Sequence, residues 1–121
     1  MPNKTILVVD DSPTERKMVQ QALQGKGYNL VWAEDGEEAL EKVARQKPDL
    51  VLLDIILPRK NGYQVCRQLK TSPETQNIKV ILISSKAQDT DRFWGLKQGA
   101  DEYLTKPVAA ENLAASVAKY C

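Results

Sequence analysis

Hydrophobic positions in this chain follow two rhythms that alternate from one end to the other. Short runs, most of them apolar and continuous, occur at about 5–9, 29–33, 50–53, 79–83 and 102–105. Short continuous runs of this kind predict strands buried on both faces, as in a parallel sheet. Between them the apolar residues recur at helical spacing. Ser12-Pro13-Thr14-Glu15 predicts a helix start, with Ser12 as cap, Pro13 in the first helical position and Glu15 completing a capping box. Met18, Val19, Ala22 and Leu23 form that helix's apolar stripe, and Gly25 or Gly27 ends it. A second helix opens near Asp35-Gly36, buries Ala39, Leu40, Val43 and Ala44, and stops at Pro48. A third follows Asn61-Gly62 with Val65, Cys66 and Leu69. A fourth starts near Asp89-Thr90, carries Phe93, Trp94 and Leu96, and ends at Gly99. The fifth, from about 109, sets Leu113, Val117 and Tyr120 on one side. Five strand–helix units predict an α/β domain with right-handed crossovers and helices on both faces of the sheet.

All five strand runs end in polar residues, but the second, expected at the sheet edge, need not contribute to a site. The first runs into Asp10-Asp11, the third into Asp54, the fourth into Ser84 and the fifth into Lys106-Pro107. In open α/β sheets, ligands bind outside the carboxyl ends of the strands. Asp10, Asp11, Asp54, Ser84 and Lys106 are therefore expected to converge on one pocket. Three carboxylates together repel one another unless a cation joins them. Magnesium suits such a set, since it takes oxygen ligands and keeps several waters. Asp10, Asp11 and Asp54 supply carboxylates, and the Ile56 carbonyl is a further candidate, because its loop must turn back toward Pro58. Asp54 is the candidate nucleophile, as carboxylates form acyl phosphates. Lys106, the metal and the Ser84 hydroxyl would neutralise the transferred phosphoryl oxygens. Taken singly, each residue also has a plain structural reading, since an Asp after a strand is often a turn former or a cap. The conjunction is what points to a site.

Composition removes several other readings. The chain has 121 residues and 42% apolar content, which fits one domain with one sizeable core. Its 17 basic and 16 acidic residues give no electrostatic case for nucleic acid or an anionic membrane. No apolar run is long enough to span a bilayer, and no secretory signal opens the chain, so a cytoplasmic setting is expected. Cys66 and Cys121 make neither a disulfide framework nor a zinc site, and Cys66 reads as a buried thiol. There is no histidine, which excludes a Ser-His-Asp triad, a Cys-His dyad and a phosphohistidine donor within the chain. Any histidine donor must be another molecule.

Over its whole length the sequence resembles the receiver domain of two-component response regulators, a CheY-like family. The resemblance is carried by Val8-Val9-Asp10-Asp11-Ser12, by Leu52-Leu53-Asp54-Ile55-Ile56-Leu57-Pro58 with Asn61-Gly62, by Ile83-Ser84-Ser85, and by the run from Gly99 to Pro107. It implies a flavodoxin-like (βα)5 three-layer sandwich with strand order 2-1-3-4-5. It implies Asp54 as phosphoacceptor, Asp11 as direct Mg2+ ligand with Asp10 assisting through water, and the Ile56 carbonyl as a further ligand. Ser84 would be the switch hydroxyl, Lys106 the phosphate-contacting lysine and Tyr103 the switch aromatic, with a cis Lys106–Pro107 peptide. The implied partners are a cognate histidine kinase or its phosphotransfer domain, and a downstream protein on the face of helix four, strand five and helix five. A monomer or weak dimer is expected, with residues 1–121 as a single domain lacking an attached output domain. The stretch Ser84–Arg92 followed by Phe93–Ala100 also resembles the stand-alone PilG/PilH type, which implies control of type IV pilus motility, chemotaxis or phototaxis. Ser84 departs from the commoner Thr by a methyl group, and Ser85 stands where Ala is frequent.

Other classes fit less well. A flavodoxin-like cofactor binder wants a phosphate-cradling loop after strand one, where Asp10-Asp11 would repel phosphate. An aspartyl phosphatase places an acid two residues after its nucleophile, where this chain has Ile56. A drain for another regulator's phosphoryl groups, or a phosphorylation-independent scaffold, stays open as an alternative role.

Overall fold

A computed structural model of the protein describes residues 4–86 and 88–121. Strands and helices alternate as β1 (Thr5–Val9), α1 (Pro13–Leu23), β2 (Asn29–Ala33), α2 (Gly36–Gln46), β3 (Leu50–Asp54), α3 (Gly62–Thr71), β4 (Lys79–Ser84), α4 (Asp89–Lys97), β5 (Glu102–Thr105) and α5 (Ala110–Tyr120). All strand pairs are parallel, in the order β2-β1-β3-β4-β5, as the family resemblance implies.

The unbroken apolar runs have a direct physical account. Successive side chains in a strand point to opposite faces. Leu7, Val9, Val51, Leu53, Val80 and Leu82 pack with Ala39 and Val43 of α2 and with Val65, Cys66 and Leu69 of α3. Ile6, Val8, Leu50, Leu52, Ile81 and Ile83 pack on the other face with Val19 and Leu23 of α1 and with Leu113 and Val117 of α5. Both faces are covered, so neither set of positions can be polar. The same alternation sorts the strand ends. Asp54 follows the parity of Leu50 and Leu52, toward α1 and α5, whereas Ser84 follows Val80 and Leu82, toward the face that also holds Tyr103.

Several local expectations need correction. Ser12 caps α1 by accepting from the Glu15 N–H at 3.3 Å, but the capping box does not close. The Ser12 N–H goes instead to Asp10 Oδ1 at 2.9 Å, because an Asp two residues back reaches that donor in a short local turn. A complete capping box occurs at α3, between Asn61 and Gln64. Met18 is 43% exposed, since Val19, Ala22 and Leu23 already fill the contact with the sheet. Ala44 of α2 is exposed and Leu40 only partly buried. On α4, Phe93, Trp94 and Leu96 are exposed, as suits the expected partner face, and the buried residue, which the apolar pattern does not mark, is Gly95. A Cβ there would lie 2.7 Å from Tyr103 Cδ2 and 3.0 Å from Leu82 Cδ1. The Tyr103 ring occupies the space a side chain would have taken.

At the amino ends of the strands, away from the carboxylates, Lys70 Nζ donates to the Ile78 carbonyl at 2.7 Å and to Asp101 Oδ2 at 2.9 Å. Asp101 Oδ2 also accepts the Val80 N–H at 2.8 Å, so one clasp ties α3, β4 and the entrance to β5. Cys66 is fully buried and donates its S–H to the Gln98 carbonyl at 3.7 Å. Burial first, and Asp101 after it, push its thiol up to about 12 against the pull of Lys70. A native sample treated with iodoacetamide should therefore react first at Cys121, which is partly exposed although burial raises its thiol too, and at Cys66 only after denaturation. Two equally fast thiols in a mass-spectrometric time course would contradict this packing between α3 and α4.

Candidate functional site

The strand ends bring the carboxylates together. Asp10 directly follows β1, and its N–H extends the ladder by donating to the Ala33 carbonyl at 3.1 Å. Asp54 is the last residue of β3. Asp10, Asp11 and Asp54 each present a carboxylate oxygen within 4.8 Å of the others. Oxygens on an octahedral magnesium ion are about 4.2 Å apart when opposite and about 2.9 Å when adjacent, so the three carboxylates would draw inward around an ion or reach it in part through water. The donor set is all hard oxygen, which fits a divalent cation of that kind. Asp10 and Asp54 are buried at 7% and 9% exposure, while Asp11 faces solvent.

Lys106 lies just beyond β5 and reaches back across the sheet. Its Nζ donates to Asp54 Oδ2 at 3.2 Å and to Asp10 Oδ2 at 3.4 Å. Its backbone N–H donates to the Ser84 carbonyl at 2.8 Å, and the following Lys106–Pro107 peptide is cis. The second Asp54 oxygen, Oδ1, accepts the Ile56 N–H at 3.3 Å. Ile56 therefore lies against the carboxylates through its backbone, and its side chain is exposed. A cavity of about 200 Å3 opens beside Asp10 and Lys106 between α1 and α5, walled by Val19, Ala22, Ile83 and Leu113.

Burial is the largest influence on Asp54 and raises its carboxyl above the ordinary range. Lys106 opposes that shift, and the neighbouring Asp10 adds to it. Burial alone would pull the Lys106 ammonium down, yet Asp10 and Asp54 together outweigh it and leave it raised. The lysine is thus firmly charged, and Asp54 still lacks enough positive charge around it. A divalent cation would supply the remainder.

Ser84 and Tyr103 sit on the other side of the sheet end. Ser84 is fully buried, and its Oγ accepts the Lys86 N–H at 3.1 Å. The Tyr103 hydroxyl donates to the Lys86 carbonyl at 2.8 Å, with the ring 3% exposed. One residue, Lys86, is therefore held by both side chains. The structure thus gathers Asp10, Asp11, Asp54, Ile56 and Lys106 at one point, with Ser84 and Tyr103 joined through Lys86 next to it.

Three neighbours escaped the sequence reading. Tyr63 donates its hydroxyl to the Asp91 carbonyl at 3.1 Å, and burial followed by the adjacent Tyr103 raises it to about 12. Arg92 lies over the Tyr103 ring, and Gly95 underlies it. No periodicity marks these positions, because each is defined by a contact with a residue on another element.

Comparison with known proteins agrees with this geometry. The family described as response regulator receiver domain matches residues 6–118. The chain is 46% identical over 108 residues to Protein PilH of Pseudomonas aeruginosa, covering 89% of each chain. It is 40% identical over 115 residues to the alkaline phosphatase synthesis transcriptional regulatory protein PhoP of Bacillus subtilis, covering 95% of this chain but 47% of that protein. Among solved structures, the chemotaxis response regulator CheY4 of Vibrio cholerae superposes with a TM-score of 0.91 at 26% identity, covering 99% of this chain and 100% of the other.

Proposed function

Because this chain belongs to the response regulator receiver domain family, we propose that it is a phosphoryl-accepting switch of a two-component phosphorelay, with Asp54 as the acceptor. The observation that carries this reading is the position of Asp54. It ends β3 beside two further carboxylates within 4.8 Å and a lysine at 3.2 Å.

Phosphoryl transfer asks mainly for positioning and for neutralisation of the moving oxygens. Asp54 supplies the nucleophilic oxygen, and a good leaving group removes the need for a base on the protein. Lys106, already turned toward Asp54, supplies one positive charge. Asp11 and Asp54, with help from Asp10 and the Ile56 carbonyl, would hold Mg2+, which would supply the electrostatic screening that lets a phosphate approach a carboxylate. Ser84 offers its hydroxyl to the phosphoryl group, which would release Lys86 and alter the contact that Tyr103 makes there. Since the chain has no histidine, the phosphoryl group comes from a separate histidine kinase or its phosphotransfer domain.

The exposed side chains of Phe93, Trp94 and Leu96 on α4, at 59%, 55% and 47%, support partner binding on the face of α4, β5 and α5. Likeness to Protein PilH supports a role in pilus-linked motility, chemotaxis or phototaxis, as an output carrier or as a drain for another regulator. Among the described residues no helix is long and apolar enough to cross a membrane. We place the protein in the cytoplasm as a monomer or weak dimer.

The test is incubation with acetyl phosphate, or with a kinase, in Mg2+ and then in EDTA. A mass gain of one phosphoryl group on Asp54 is expected only with the metal. No gain under either condition would refute the reading. Asp11→Ala is expected to lower Mg2+ affinity at least tenfold by calorimetry, since Asp11 is the one carboxylate of the three that Lys106 and Ser12 leave open. Unchanged affinity would remove Asp11 from the ligand set.

A further inference from the structure

The Tyr103 ring is boxed in by residues of α4 one turn apart. Gly95 offers bare backbone, so close that an added Cβ would lie 2.7 Å from Tyr103 Cδ2. Arg92, three residues earlier on the same helix, sets its guanidinium 5.5 Å from the ring centroid. The guanidinium is itself anchored at two points on β5. Its NH1 group donates to the Tyr103 carbonyl at 3.1 Å, and its NH2 group to Thr105 Oγ1 at 3.4 Å. β5 is an edge strand, so these donors also occupy positions that a neighbouring strand would otherwise fill. At its tip the ring is held by the Lys86 carbonyl at 2.8 Å.

These contacts act together on one motion. To leave the interior, the Tyr103 ring must break its bond to Lys86 and lose the cation over its face. That cation is fastened to the tyrosine's own backbone, so it cannot simply follow the ring outward. We propose that Arg92 is a positioning residue for the switch: it latches Tyr103 in the inward arrangement by stacking on the ring while gripping the β5 edge. The inward arrangement is thereby populated before any phosphoryl group arrives. This inference rests on reading Ser84 and Tyr103 as the coupled pair that responds to Asp54.

A planar fork is needed to stack and to bond twice, so lysine is not an equivalent residue. The two hydrogen bonds to β5 hold in either ring position, so the cation–π contact alone sets the bias, a population ratio of roughly two- to fivefold. The test is aromatic NMR of tyrosine-labelled protein, with the Tyr103 signal assigned through Tyr103→Phe, in the wild type and in Arg92→Ala, Arg92→Lys and Thr105→Val. The outward-to-inward ratio should rise roughly two- to fivefold in Arg92→Ala, and by less in the other two. Affinity for beryllofluoride with Mg2+ should fall in proportion to the inward fraction that is lost, because only that fraction is arranged to bind. An unmoved Tyr103 signal in Arg92→Ala overturns the latch, even if the melting temperature drops, because edge cover alone would cost stability without shifting the ring. A moved signal with unchanged beryllofluoride affinity leaves the latch standing and removes the link between Tyr103 and Asp54. A moved signal in a protein that binds no beryllofluoride at all leaves the latch standing and removes Asp54 as the acceptor.

Discussion

Asp54→Asn is expected to abolish alkali-labile phosphorylation by kinase or acetyl phosphate while leaving the fold intact. The amide has the shape of the carboxylate but no nucleophilic oxygen of comparable strength. The fold should tolerate the change, because Lys106 keeps Asp10 as a partner at 3.4 Å. The pH dependence of stability provides a second reading. Burial raises the folded-state Asp54 carboxyl above its ordinary value, so its ionisation opposes folding. In metal-free buffer its contribution is fully present below the ordinary carboxylate range. It is lost as pH climbs through the raised value. Urea titrations at a series of pH values should show that decline in the wild type and a flatter profile in Asp54→Asn. Labelling of the variant at the wild-type level would place the acceptor elsewhere.

Gly62→Ala should cost about 3 kcal/mol of folding stability, near the upper end of overpacking effects. Gly62 opens α3 and donates its N–H to the Ile55 carbonyl at 2.8 Å. An alanine Cβ there would collide with the Asp54 carbonyl oxygen and lie 2.7 Å from Ile55 Cα. Backbone atoms at the end of β3 cannot rotate aside, so either α3 lifts or the Asp54 peptide shifts. Phosphorylation should fall along with stability. Gly25→Ala is the natural contrast. A Cβ there meets nothing within 4 Å, and the cost is only the strain of φ +76°, about 1–2 kcal/mol. Urea midpoints that fail to separate the two variants would argue against close contact at Gly62.

The sheet was legible because strands covered on both faces must be apolar at every position, and such runs are short and unbroken. The site was legible for a related reason. Once those runs are accepted as parallel strands, the first polar residue after each one falls at a common edge, and leaving out the edge strand β2 picks out Asp10, Asp54, Ser84 and Lys106. Details that depend on competition between neighbours were not legible. Glu15 lost the Ser12 N–H to Asp10, which stands closer in sequence. Gly95 is buried while Phe93, Trp94 and Leu96 are exposed, because a tyrosine on β5 fills the place where α4 meets the sheet. Apolarity marks what can be buried, whereas the partner decides what is. Arg92 looks like any surface arginine until its distance to Tyr103 is known. The α3 capping box could have been read from Asn61 and Gln64, three residues apart.

The strand order also carries a consequence for how the protein is made. β1 and β2 emerge first, and β3, β4 and β5 then add one after another on the far side of β1. The sheet can therefore widen in one direction, in step with the ribosome, as domains that fold during synthesis do. Asp10, Asp11 and Asp54 are all made by the time β3 is complete, but Lys106 follows 52 residues after Asp54. A growing chain thus assembles mutually repelling groups well before their counter-ion exists. Docking of the last strand does more than finish the sheet, for it delivers the lysine that quiets the repulsion the first half created.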